Sequence, residues 1–243
     1  MAPHTSEALS PSRSADLATD PLAALRDATR EQHARLDAGL PIAQPLATLN
    51  DYAAHAAALS AWLAALAPEL QALAAREPRF APDTAARLQA LRADLRDAGA
   101  SPAQAHGGRG GPSDTSDTSD TSDLDDHSEH DPVPSIATRQ QMQHALAQAP
   151  DDANAVRWGF AYVVEGSQLG GQVMHRQLAP RLAPHPLRYL QGRGADTGGH
   201  WKSFLALLRS HLATPQATAA ACIGAQAAFA GLAQHLHAEG AKT

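Results

Sequence analysis

Trp158–Leu178 reads WGFAYVVEGSQLGGQVMHRQL, and the fold turns on how this run is read. Apolar residues recur at three and four on both flanks, a helical period rather than the alternation of a strand. Gly166, Gly170 and Gly171 lie inside it. Each glycine costs a helix interior about 1 kcal/mol relative to alanine. A helix that accepts three of them so close together is bent there, or has something approaching its backbone closely.

Working outward, the neighbouring segments are helical as well. Asp151-Asp152 supplies a start for the glycine-bearing helix, and Pro180 or Pro184 a stop. Upstream, Asp20-Pro21 pairs an N-cap acceptor with proline in the first turn. That helix runs to a Gly39 and Pro41 stop. A second begins near Asn50-Asp51 with Tyr52, Leu59, Trp62, Leu63 and Leu66 as its stripe, and Pro68 interrupts or kinks it. A third starts around Pro82 and ends at Gly99, and helical pattern resumes at Ser135. Downstream, HPLRYLQGRGADTGGH (His185–His200) reads as a loop with four glycines, WKSFLALLRSHL as a helix, and Thr214-Pro215 as the start of a last one reaching about Glu239. No β-rich alternating run is present. The expected fold is all-α, about seven helices in a bundle with mostly short connections.

Residues 1–18 are polar and expected to be disordered. Residues 19–242 form one expected domain, interrupted at about 100–134 by a Gly-rich, then acidic Ser-Asp-Thr repeat that cannot bury enough apolar surface to order itself. The chain has 243 residues, a net charge of −6 and a single cysteine, Cys222. The charge argues against nucleic acid as a partner. The lone cysteine excludes an intramolecular disulfide and a multi-cysteine metal cage. Thirteen histidines are present, but no His-Glu-x-x-His spacing organises them. The N-terminus lacks a signal-peptide pattern. Thr218–Leu236 is uncharged but mostly alanine, so it reads as a packed bundle helix rather than a membrane span. A cytoplasmic protein without membrane contact is expected, acting as a monomer.

Arg26, Arg30 and His33 are spaced four and three, which stacks them within a sector of about 60° on one helix face. An imidazole below two guanidinium groups suits a ligand with a metal centre and anionic arms. On pattern alone, a solvated face carrying a like-charged pair remains the alternative.

These residues carry a family resemblance. LRDATREQHARLD (Leu25–Asp37) resembles the proximal helix of heme oxygenases. YVVEGSQLGGQV (Tyr162–Val173) resembles their distal helix, in particular that of the soluble bacterial branch, and LQALRADLRDAG (Leu88–Gly99) resembles a block between them. The resemblance implies a helical bundle with heme b sandwiched between the two helices as both cofactor and substrate. His33 then falls on the axial ligand of the heme iron, and a single such ligand leaves a position open for dioxygen. Arg26, Arg30 and Arg176 fall on propionate partners. Gly166, Ser167, Gly170 and Gly171 fall on the distal helix over the dioxygen site. Ser167 stands where the animal enzymes carry an aspartate that organises waters; the bacterial branch manages without it.

The activity implied is oxidative cleavage of heme to biliverdin, carbon monoxide and ferrous iron. Electrons must come from an external donor such as a ferredoxin or a flavin/NADPH reductase, because no nucleotide-binding fingerprint is present. A bilin-accepting photoreceptor is a further implied partner. The alternatives are a non-catalytic heme carrier or sensor on the same fold, and a helical interaction module without heme. Trp201, Phe204 and Phe229 are expected in the bundle core, and Glu165 as a structural carboxylate. His55, His144, His200, His211, His235 and His237 are expected as surface or ordinary packing residues.

Overall fold

The computed structural model describes residues 20–99 and 132–240, and all regular structure among them is helical. The expected disordered N-terminal segment and positions 100–131 of the acidic insertion lie outside the described residues. The helices are α1 (Pro21–Gly39), α2 (Leu49–Arg76), α3 (Thr84–Asp97), α4 (Ile136–Gln148), α5 (Ala153–Leu178), α6 (Arg188–Gln191), α7 (Thr197–His211) and α8 (Pro215–Gly240).

Their starts are chemically marked. The Asp20 carboxylate accepts from Leu22 N–H, and Pro21 opens α1. Thr48 and Asp51 form a reciprocal capping box on α2. Ser135 caps α4 by accepting from Thr138 N–H, and Thr214 accepts from Ala217 N–H at the head of α8. Such caps satisfy the orphan donors of a first turn.

Two expectations needed correction. Pro68 does not interrupt α2, which runs continuously from Leu49 to Arg76. Leu63, Leu66, Leu70 and Leu73 are fully buried on either side of the proline, and that packing holds the helix where local propensity is poor. The glycine-rich run 185–200 is not all loop. It contains α6, a 3-10 turn at Gly194–Asp196 and the first turn of α7, which absorbs Gly198 and Gly199.

The packing centre is α8 as much as α5. These two helices make the most extensive contact in the bundle, and α1, α4 and α2 also lie on α8. The alanine-rich composition explains this. Ala220, Ala221, Ala225, Ala227 and Ala228 are buried, and small side chains let several helices approach one axis. Trp62 of α2 donates its indole N–H to Ala228 C=O at 2.9 Å. Gln32 of α1 donates to Gln226 C=O, and Gln226 donates back to Ala28 C=O. Among the described residues one helix, α2, is long and apolar enough to cross a membrane by length and composition, but 67% of its most apolar stretch is buried inside the bundle. It is used here as a core helix.

Candidate functional site

A cavity of about 440 Å³ lies between α1, α2, α5, α6, α7 and α8. Its volume falls in the range of small-molecule and cofactor sites.

His33 lines it from α1. The ring's Nδ1 is 2.9 Å from Asp37 Oδ2, one turn on, and the imidazole is 62% exposed, so this wall is open to solvent. A carboxylate on Nδ1 fixes the tautomer and leaves Nε2 as the nitrogen able to ligate a metal. Phe229 of α8 meets the ring edge-on with centroids 5.8 Å apart.

Part of the α5 wall is backbone, beside the side chains of Tyr162, Val163, Leu169 and Met174. Gly166, Ser167, Gly170 and Gly171 all line the cavity. A Cβ added at Gly170 would meet nothing within 4 Å, and one at Gly166 would make only ordinary contact with the Trp201 ring at 3.5 Å. Protein packing therefore does not require glycine at either place. The same helix shows the opposite case at Gly159, where a Cβ would stand 2.0 Å from Ala221 C=O. Gly159 is there for the α5–α8 contact, whereas Gly166 and Gly170 leave room in the cavity. Ser167 turns its hydroxyl inward along the helix, donating to Val164 C=O at 2.8 Å.

The three arginines expected at the site do not line the cavity. Arg30 pairs with Asp27 on the exposed face of α1. Arg176 is exposed in the last turn of α5. Arg26, also exposed, lies beside the hydroxyl of Tyr162, a lining residue of α5. Burial pushes the Tyr162 phenol up, and the Arg26 cation opposes that shift. Arg26 and Tyr162 thus present a cation and a hydroxyl together near the cavity.

Several lining residues were not singled out from sequence. His55 of α2 is 6% exposed, its Nδ1 has no hydrogen-bond partner, and burial lowers it to about 4, so it is neutral near pH 7. Its signal was legible: it shares the Tyr52–Leu59–Trp62 stripe at three, four and three. Tyr189 of α6 also lines the cavity, and its hydroxyl is buried without a hydrogen-bond partner. Trp201 and Phe229, expected as bundle core, line the cavity, whereas Phe204 is core. Met174, Leu190 and Leu232 make the remaining surface mostly apolar.

Residues 121–238 match the family model described as heme oxygenase. The matched segment contains α4 to α7 and most of α8, including the glycine-bearing wall, but not α1 and His33. A curated relative, a heme oxygenase of Xanthomonas campestris pv. campestris (strain 8004), is 44% identical over 96 residues, covering 38% of this chain and 54% of that protein. The chain thus spans about half the length of that relative. The all-α architecture agrees with the family's all-α fold.

Proposed function

We propose that the protein binds heme b in this cavity, between α1 and α5, and cleaves it to biliverdin, carbon monoxide and ferrous iron. Dioxygen and an external donor, a ferredoxin or a flavin reductase, would be consumed. The observation that carries the reading is a cavity with a tautomer-fixed histidine on one helix and unfilled glycine backbone on another. The family of the matched segment supports the same reaction.

Bound heme would supply the iron at which dioxygen is reduced and the macrocycle that is opened. The chain supplies the rest. His33 ligates through Nε2 while Asp37 holds its Nδ1 proton. Arg26 and the Tyr162 hydroxyl together suit one carboxylate arm by a charge-assisted hydrogen bond. Gly166 and Gly170 let ligand and backbone approach without an intervening side chain. Leu59, Val163, Leu190 and Leu232 exclude bulk water, which strengthens every polar contact in the cavity.

Hemin titration tests the reading. Wild type should give a Soret band, and with reductant and air the solution should turn green. His33→Ala should bind hemin at least about tenfold more weakly and yield no bilin. An unaltered heme spectrum after reduction in air would overturn cleavage and leave heme carriage in its place.

A further inference from the structure

Glu165 immediately precedes the first cavity glycine of α5, yet it does not line the cavity, and its side chain is only 1% exposed. Its Oε2 accepts from Arg87 Nη2 of α3 at 2.7 Å and from His200 Nε2 of α7 at 3.0 Å. Arg87 is itself buried, and its Nη1 also donates to Val164 C=O at 3.5 Å. Burial pushes the Glu165 carboxyl up, but His200 and Arg87 outweigh it and hold the group below its ordinary value. The carboxylate is therefore charged near neutral pH. Its Oε1 is buried and makes no hydrogen bond.

A buried ion pair adds little stability over well-packed apolar side chains of the same size, and an unpaired oxygen lowers its worth further. What such bonds do supply is direction. With Glu165 set at zero and about 100° per residue, the cavity-lining residues of α5 run from Leu169 at about 40° to Gly171 at about 240°. Gly170 stands at the middle of that arc, at about 140°, and Gly166 at about 100°. A rotation of α5 by about 60° either way would put the side chain of Val173 or Ser167 where Gly170 now is. Apolar contact is non-directional, and glycines present no side chain to key the helix against its neighbours. The α7 anchor adds one more contact here: Trp201, next to His200, has its ring 3.5 Å from where a Cβ of Gly166 would stand.

We propose that Arg87 and His200, acting through Glu165, are positioning residues that fix the rotation of α5 about its own axis and so keep Gly166 and Gly170 turned to the cavity. Anchors on two different helices, α3 and α7, hold one carboxylate, so α5 cannot turn without breaking one of them. The purpose of the lock rests on the heme-binding reading, in which the glycine face must stay clear for the macrocycle. The lock itself is a property of the protein without any ligand.

The test reads the rotation directly, by thiol labelling of the full-length apoprotein in a Cys222→Ser background. Gly170→Cys probes the cavity face, where an added Cβ meets nothing, and Gln168→Cys probes a buried position on another face. With the lock intact, Gly170→Cys should label at least about tenfold faster than Gln168→Cys. Adding Arg87→Met and Glu165→Met together should leave the melting temperature close to that of the parent and shrink this contrast severalfold. His200→Ala alone, which removes one anchor from a partly exposed ring, should shrink it less, and it decides the matter if the double variant does not fold. A contrast unchanged in whichever of these variants folds would overturn the lock, and so would a lowered melting temperature with the contrast intact, which is a stabilising role only. Soret titration with hemin is the second arm: the double variant should bind about tenfold more weakly. If the parent protein binds no hemin, the heme reading fails, while the labelling contrast still decides whether α5 is held in rotation.

Discussion

His55 shows what a single residue can disclose about a cavity. It is almost fully buried on α2, unpartnered at Nδ1, and held to about 4 against an ordinary value of 6.5 by loss of solvent. The consequence for stability has a definite sign. The folded value lies below the unfolded one, so the unfolded chain takes up the proton first as pH falls. Stability from this group is whole above about 6.5, declines through the interval down to about 4, and is constant below it. The shift corresponds to about 3 kcal/mol at the acid end. Urea unfolding of the apoprotein against His55→Gln should show the two diverging from the pattern at neutral pH as the buffer is acidified through that interval. A constant difference between them would sink the assignment. His33 differs in every respect: exposed, paired with Asp37 and on the open wall. The i,i+4 spacing of His33 and Asp37 was readable from sequence, and so was the stripe carrying His55. The partners of Glu165 were not, because Arg87 and His200 stand 78 and 35 residues away along the chain. Local spacing holds no record of such pairings.

At the scale of the helix, α5 carries two kinds of glycine, and substitution should separate them. Gly159→Ala would drive a methyl into Ala221 C=O and Ala225 N–H, both backbone atoms of α8 that cannot swing aside. The helices would have to part, at a cost of about 3 kcal/mol. Gly170→Ala meets nothing, so the helix should gain up to about 1 kcal/mol from improved propensity. Thermal melts of the apoprotein should therefore move in opposite directions for the two variants. Gly170→Leu extends the argument into the cavity: folding should survive while hemin turnover is lost, and full turnover would show that Gly170 is not over the reacting centre. The sequence marked α1, α5 and α8 well, because Asp20-Pro21, the glycine-interrupted apolar period and Thr214-Pro215 are all local signals. It marked 185–200 poorly, for a physical reason. Thr197 accepts hydrogen bonds from Gln172 of α5 and from Arg193 N–H, so the start of α7 is fixed by tertiary contact across residues whose own propensity is low.

For the molecule as a whole, the candidate site depends on a buried carboxylate that touches no part of the cavity lining except through the backbone. Asp94 of α3 is fully buried. Its carboxylate accepts from Tyr52 Oη of α2 at 2.5 Å and from the backbone N–H groups of Arg188 and Tyr189, both at 2.9 Å. Its own C=O accepts from His185 Nε2 at 2.9 Å, while His185 Nδ1 accepts from Leu187 N–H, which fixes the proton on Nε2. Asp94 therefore ties α2, α3 and the start of α6 at one point, and α6 then presents Tyr189 and Leu190 to the cavity. The resemblance marked Leu88–Gly99 as a block without giving it a task; this clamp is its task in the structure. Asp94→Ala would leave the Tyr52 hydroxyl and two backbone donors without an acceptor in the interior. Each buried group so orphaned costs about 1–3 kcal/mol, so a loss of about 3 kcal/mol or more is expected, lowering the melting temperature by about 10 °C. Hemin affinity should fall as well, because one wall of the cavity loses its anchor although no lining side chain has changed. Asp94→Asn keeps one acceptor oxygen and should fall between wild type and Asp94→Ala in both measurements. A melting temperature that drops while hemin affinity stays at the wild-type value would separate the clamp from the cavity, and would show that α6 is held in place by its contacts with α5 alone.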